Sequence, residues 1–197
     1  MTFAVLTVCT GNVCRSPVAE LLLANALRDV SGFEFGSAGT RALLGKGVPP
    51  TTLAMSREYG LNASEHRARQ LTDDQIRGAD LIITMAREHR RAVVERVPGA
   101  VRRTFTLREL ARIVDGTHGG IGEAKIAHPD ASDALREAVS QAAARRGSVG
   151  PTADPNDLDV IDPFGQPETV YRRSFEQLIP AAQSVARFLG SAATGDL

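Results

Sequence analysis

The sequence predicts a single α/β domain built on a four-stranded parallel sheet with helices on both faces, a three-layer α/β/α arrangement, and three observations carry the prediction. Four short apolar, β-branched runs alternate along the chain with stretches of helical periodicity. The first run stops at a cysteine that opens a short polar loop, and that loop leads directly into a Ser-Pro helix start. At 197 residues the chain is long enough for one such domain with a real core and too short for two full-sized ones.

Phe3 to Val8 is a short run ending at Cys9 that suits a central strand buried on both faces. After the loop Cys9 to Arg15, Ser16 offers an N-cap and Pro17 a first helical position. Val18, Leu22 and Ala26 then repeat at helical spacing, which predicts a helix over about 17–29. Phe33-Glu34-Phe35 leading into Ser37-Ala38-Gly39-Thr40 gives a second strand and a turn. Asp80 to Met85 gives a third buried strand and Val101 to Thr106 a weaker fourth. Helical stretches near 50–60, 72–78 and 87–97 lie between them. Such alternation implies a parallel sheet whose ligands bind at the carboxyl ends of the strands, where the Cys9 loop sits.

The stretch at about 108–157 reads as an inserted loop-helix-loop. Gly116, Gly119, Gly120 and Gly122 precede a helix capped by Ser132 with a narrow stripe of Leu135, Ala138, Val139 and Ala142, and Gly147 through Asp157 follows it. The inserted helix is expected to lie on the domain or on a partner. Glu168 to Leu189 carries Val170, Leu178, Ala182, Val185 and Leu189 on one side, with Pro180 expected to break or kink the helix. This gives one domain over 1–190 and a flexible tail over 191–197.

Lysine plus arginine and aspartate plus glutamate number 23 each, so nothing draws the whole molecule toward nucleic acid or a membrane surface. The start has no signal-peptide pattern and no run of about 18 apolar residues occurs, which predicts a cytoplasmic protein. Two cysteines make no disulfide scaffold and are candidates for chemistry.

Cys9-Thr10-Gly11-Asn12-Val13-Cys14-Arg15-Ser16 places a thiol and a guanidinium at the two ends of a loop between strand and helix. Backbone N–H groups there can turn inward around a tetrahedral anion, the helix N-terminus adds positive potential, and Arg15 can grip two oxygens at once. A thiolate at Cys9 is favoured by the same field, so anion site and nucleophile form one device. Gly11 and Asn12 supply backbone freedom for the turn. Spacing alone is also met by a buried thiol and a surface arginine; position after a strand and before Ser-Pro shifts the balance toward the anion site.

Cys9 to Glu20 resembles the signature of low-molecular-weight protein tyrosine phosphatases of the bacterial type. Ser37-Ala38-Gly39-Thr40, Glu65-His66-Arg67-Ala68-Arg69-Gln70 and Asp159-Val160-Ile161-Asp162-Pro163-Phe164-Gly165 resemble three further blocks of that family, in order. The resemblance implies that Cys9 attacks phosphorus to form a phosphocysteine, and that Arg15 and the loop from Thr10 to Ser16 hold the phosphate. It implies also that Asp162 serves as general acid and then base. Asn12, Ser16, Ser37 and His66 match positions that brace the loop, with ordinary capping and turn polarity as the alternative. Cys14 matches a cysteine able to form a reversible disulfide with Cys9, or is a small buried hydrophobe. Asp154-Pro155 repeats the dipeptide of Asp162-Pro163, but only Asp162 is followed by an aromatic and glycine. The implied enzyme needs no metal or cofactor. Its partners are phosphorylated proteins or small aryl phosphates, and the oligomeric state is left open. His89, His118 and His128 stand alone in the sequence.

The sequence departs from the family pattern at the substrate wall, where Leu43 and Leu44 stand in place of an aromatic residue and Phe164 in place of tyrosine. Val13 lacks the hydroxyl found in the related arginine phosphatases. A small-thiol-dependent arsenate reductase, a protein arginine phosphatase and a non-catalytic phosphopeptide-binding module are the rival readings.

Overall fold

The computed structural model describes residues 2–116, 130–150 and 152–195. Four parallel strands, β1 (Phe3–Cys9), β2 (Phe33–Gly39), β3 (Leu81–Thr84) and β4 (Thr104–Thr106), form one sheet in the order β2-β1-β3-β4. Helices α1 (Arg15–Ala26), α2 (Pro50–Glu58), α3 (Asp73–Gly78), α4 (Arg87–Arg96), α5 (Leu107–Asp115), α6 (Ala131–Ala144) and α7 (Glu168–Thr194) complete the layers. The predicted α/β/α architecture is present.

Period-two alternation along the buried strands divides the core between the two faces. Phe3, Val5 and Cys9 of β1 and Leu81 and Ile83 of β3 pack into a large cluster with α1, α5, α6 and α7. Leu6, Val8 and Ile82 point the other way, into a smaller cluster with Ile76 of α3 and Val93 of α4. The reversal of strand order about β1 puts the end of that strand at the switch point, so the loop after Cys9 opens where ligands bind in such sheets.

Several predicted boundaries change. Helix α1 starts at Arg15, with Cys14 in the N-cap position, and ends at Ala26 rather than 29. Ser16 is therefore inside the helix and does not cap it, because its hydroxyl is engaged by Cys9 and Asn12. The fourth strand is shorter than expected: 98–103 forms a 3-10 helix and only Thr104–Thr106 pairs with β3. Residues 107–115, placed partly in the insertion, form α5, whose Leu107, Leu110 and Ile113 are core residues. A capping box between Thr106 and Glu109 starts that helix.

Helix α6 is capped by Asp130, whose carboxylate accepts the Ser132 N–H, and it buries the predicted stripe of Leu135, Ala138, Val139 and Ala142. It is docked by Arg136 on Asp80 at 2.8 Å and, just beyond its end, by Arg146 on Glu109 at 3.1 Å, with the Arg146 guanidinium over the Phe105 ring. The glycine-rich stretch after Gly116, with His118 and His128, lies outside the described residues.

Helix α7 runs through Pro180 without a break and reaches Thr194, past the expected boundary at 190. Pro180 and Glu176 both lie on the exposed side, so the carbonyl that loses its helical donor can turn to water. Among the described residues no helix is long and apolar enough to cross a membrane.

Candidate active site

Cys9 is the last residue of β1 and Arg15 the first of α1, so the five residues between them must reverse the chain within one turn. Asn12 accomplishes this by adopting a left-handed conformation, φ 54°. Gly11, the other residue expected to supply such freedom, stays at negative φ. The glycine that matters is Gly39 on β2: a Cβ there would lie 2.5 Å from the Thr10 carbonyl oxygen and 3.0 Å from Asn12 N. Only glycine lets β2 and the loop approach this closely.

Asn12 is wholly buried and all of its polar groups are used. Its N–H donates to Cys9 Sγ at 3.3 Å, and its amide Nδ2 donates to Ser16 Oγ and Ser37 Oγ at 2.9 Å each. Its Oδ1 accepts the Arg69 N–H at 2.8 Å, and its carbonyl accepts from His66 Nε2 at 2.7 Å. Ser16 Oγ, accepting from Asn12, keeps its own proton for Cys9 Sγ, 3.0 Å away. The four residues expected to brace the loop are thus brought together. His66 is held below its ordinary pKa, first by burial, consistent with a neutral ring whose Nε2–H donates. The segment after β2 runs along the loop, Thr40, Arg41 and Leu43 donating their N–H groups to the carbonyls of Cys9, Thr10 and Gly11.

Cys9, Thr10, Gly11, Val13, Cys14, Arg15, Arg41, Leu43, Asp162 and Phe164 line one cavity of about 140 Å³. Asn12 and Ser16 sit behind that lining, which makes them supports of the loop rather than walls of the cavity. The predicted wall is corrected at Leu44, which is 68% exposed and outside the cavity; Arg41 takes its place. Sequence alone gave no sign of Arg41, because a turn decides which side chain of 41–44 faces inward. Cys14 shares the cavity, its thiol pushed up to about 11 chiefly by burial.

Arg15 is only 4% exposed. Its Nη1 donates to the Val160 carbonyl at 3.0 Å and its Nη2 meets Asp162 Oδ2 at 2.6 Å. Its buried Nε has no hydrogen-bond partner among the described residues. A buried guanidinium N–H without a protein acceptor, on a residue lining a cavity of donors, suits an oxyanion guest.

The Asp162 loop is anchored from behind. Val160 N–H donates to the Met85 carbonyl, Gln177 accepts the Ile161 N–H, and Ser174 donates to the Ile161 carbonyl. Asp159 receives the Arg87 N–H at 2.8 Å and pairs with the Arg87 guanidinium, supplying at the start of α4 the cap that Ala86 lacks. Asp154 instead caps a short 3-10 turn over Pro155–Leu158 and does not reach the cavity. Another residue missed in the sequence is His89, buried beneath the loop with Nε2 2.8 Å from Thr10 Oγ1. No local motif announces a pairing between residues so far apart in the chain.

With this geometry in place, comparison with known proteins gives a consistent answer. Residues 4–145 match the family of low molecular weight phosphotyrosine protein phosphatases. A probable low molecular weight protein-tyrosine-phosphatase, EpsP of Ralstonia solanacearum, is 40% identical over 110 residues, covering 56% of this chain and 74% of its own length. The protein-arginine-phosphatase of Geobacillus stearothermophilus is 38% identical over 123 residues, 62% of this chain and 79% of that protein. The solved structure of the arginine phosphatase YwlE from the same organism superposes with a TM-score of 0.69 at 29% identity, covering 99% of this chain and 97% of that one. The chain belongs to the low molecular weight phosphotyrosine protein phosphatase family.

Proposed function

We propose that the chain hydrolyses phosphotyrosine in proteins through a phosphocysteine on Cys9. The observation that carries this reading is the cavity in which a thiol, a buried arginine and a carboxylate converge, with Arg15 2.6 Å from Asp162. Cys9 Sγ, as thiolate, forms a bond to phosphorus while the bond from phosphorus to the leaving oxygen breaks, and Asp162 gives that oxygen its proton. The loop from Thr10 to Arg15 holds the remaining oxygens throughout, with Asn12 and Ser16 bracing it from behind. Water then attacks phosphorus, Asp162 takes up its proton, and the S–P bond breaks to return the thiolate and release inorganic phosphate.

Phosphotyrosine suits the walls, since Leu43 and Phe164 offer apolar faces to an aryl ring. A cytoplasmic setting suits a reaction that needs free thiols, the state in which both Cys9 and Cys14 stand. The similarity to an arginine phosphatase favours phosphoarginine as the second reading. Purified protein offered phosphotyrosine, phosphoarginine and phosphoserine peptides, and arsenate with a small thiol, in parallel decides between them. Turnover highest on phosphotyrosine is expected; a clear preference for phosphoarginine or for arsenate reduction overturns the assignment.

A further inference from the structure

His89 stands on α4, 1% exposed, and its environment fixes which ring nitrogen carries the proton. Nε2 lies 2.8 Å from Thr10 Oγ1 and 3.3 Å from a carboxylate oxygen of Glu88. A carboxylate can only accept, so a bare Nε2 lone pair facing it would be repelled, whereas an Nε2–H satisfies both neighbours. Nδ1 is buried with no partner among the described residues. An unpaired lone pair is better tolerated there than an unpaired N–H. The nearby Arg15 and Arg41 guanidiniums and, above all, burial keep the ring neutral, its pKa lowered to about 3.

His89 therefore donates and Thr10 Oγ1 accepts. The hydroxyl proton of Thr10 is left to point elsewhere, and Thr10 lines the cavity. Ser16 uses the same logic on the other side of the loop, accepting from Asn12 and presenting its proton to Cys9 Sγ.

We propose that His89 is a positioning residue which, by occupying the acceptor side of Thr10 Oγ1, turns the Thr10 hydroxyl into an additional donor to an oxygen of the phosphoryl group held over Cys9. The inference rests on the phosphate-ester reading of this cavity, and its test does not depend on turnover.

The binding of inorganic phosphate is measured by calorimetry on the wild-type chain and on Thr10→Val, Thr10→Ser, His89→Leu, His89→Gln and the Thr10→Val/His89→Leu double variant. Thr10→Val is expected to weaken phosphate binding about tenfold to a hundredfold, as for a lost hydrogen bond to a charged group, in a chain that still folds. Thr10→Ser keeps the hydroxyl and His89→Gln keeps an N–H donor, so each stays within about threefold of wild type. His89→Leu matches Thr10→Val, and the double variant is no weaker than either, because one device has been removed twice. Wild-type phosphate affinity in folded Thr10→Val overturns the proposal, as does a double variant whose loss is the product of the two single losses. If His89→Leu does not fold, the contrast between Thr10→Val and Thr10→Ser decides alone. Turnover of p-nitrophenyl phosphate, assayed separately, reports on the phosphatase reading: its absence in the wild type defeats that reading whatever the phosphate affinities are.

Discussion

The loop after Cys9 and the loop carrying Asp162, the proposed phosphate and acid loops, meet where Arg15 touches Asp162, yet the two are held in opposite ways. Around Cys9, the side chains of Asn12, Ser16 and Ser37 are fully buried and hydrogen-bonded to one another, so the loop is built before any substrate arrives. The acid loop is pinned at residues 159–161 by Arg87, Gln177 and Ser174, and then releases Asp162 and Phe164 toward solvent at 48% and 53% exposure. The proposed mechanism accounts for the difference. Stabilising transferred charge requires donors that need no reorganisation. Proton exchange with a leaving group and then with water requires a carboxylate that both can reach.

If that contrast is right, damage to the rigid side should be the more severe. Arg15→Lys leaves a charge but removes the planar grip and the bond to the Val160 carbonyl, and kcat should fall about a hundredfold to a thousandfold for every substrate. A loss confined to some substrates in steady-state assays would show that Arg15 is not a common clamp. Asp162→Asn should lower kcat about a hundredfold for substrates with poor leaving groups and far less for p-nitrophenyl phosphate. Equal losses on both would remove Asp162 from proton transfer.

A finer test lies behind the acid. Asp159→Ala breaks the Arg87 pair and uncaps α4 but touches nothing in the cavity. We expect a loss of about 0.5–2 kcal/mol in stability, typical of a removed cap, and a drop in kcat that follows leaving-group dependence as Asp162→Asn does, only smaller. Chemical denaturation and the same pair of substrates check both parts. A uniform loss on both substrates would mean that the two loops are not held independently.

A separate test concerns pH. His89, its folded pKa near 3 against 6.5 for the free side chain, binds fewer protons in the native state than in the unfolded one. The stability it contributes is therefore complete above pH 6.5 and lost progressively as pH falls toward 3, with Arg15, Arg41, Asp159 and Glu88 as the charged groups around it. His89→Gln should flatten the acid limb of a melting-temperature profile across that window. An unchanged slope would place the acid sensitivity elsewhere, with His66, shifted in the same direction, next to test.

Legibility in the sequence follows the range of the interactions involved. Cys9 and Arg15 could be read because strand end, loop and helix start are contiguous. The buried stripe of α6 could be read because helical periodicity is local. Ser16 reads as a cap and is not one, because a hydroxyl at a helix start has two uses, and the one realised here depends on Asn12 and Cys9. Leu44 reads as a wall and lies outside the cavity, because which of two adjacent leucines faces inward is set by the backbone of the turn, fixed here by bonds from 40–43 to 9–11. Gly39, Arg41 and His89 owe their importance to what lies across the loop, and no spacing along the chain encodes that. Pro180 shows the converse, a strong local signal overridden by the burial of Leu178, Ala182 and Val185 on one continuous helix.

The central claim is that Cys9 carries the phosphoryl group during turnover, and trapping tests it most directly. Asp162→Asn enzyme turning over p-nitrophenyl phosphate is quenched in acid, digested and analysed by mass spectrometry, with Cys9→Ser treated alongside. The account predicts a phosphate adduct on the Cys9 peptide of the aspartate variant, and no steady-state turnover by the serine variant. An adduct on any other residue, or substantial turnover without the Cys9 thiol, would contradict it.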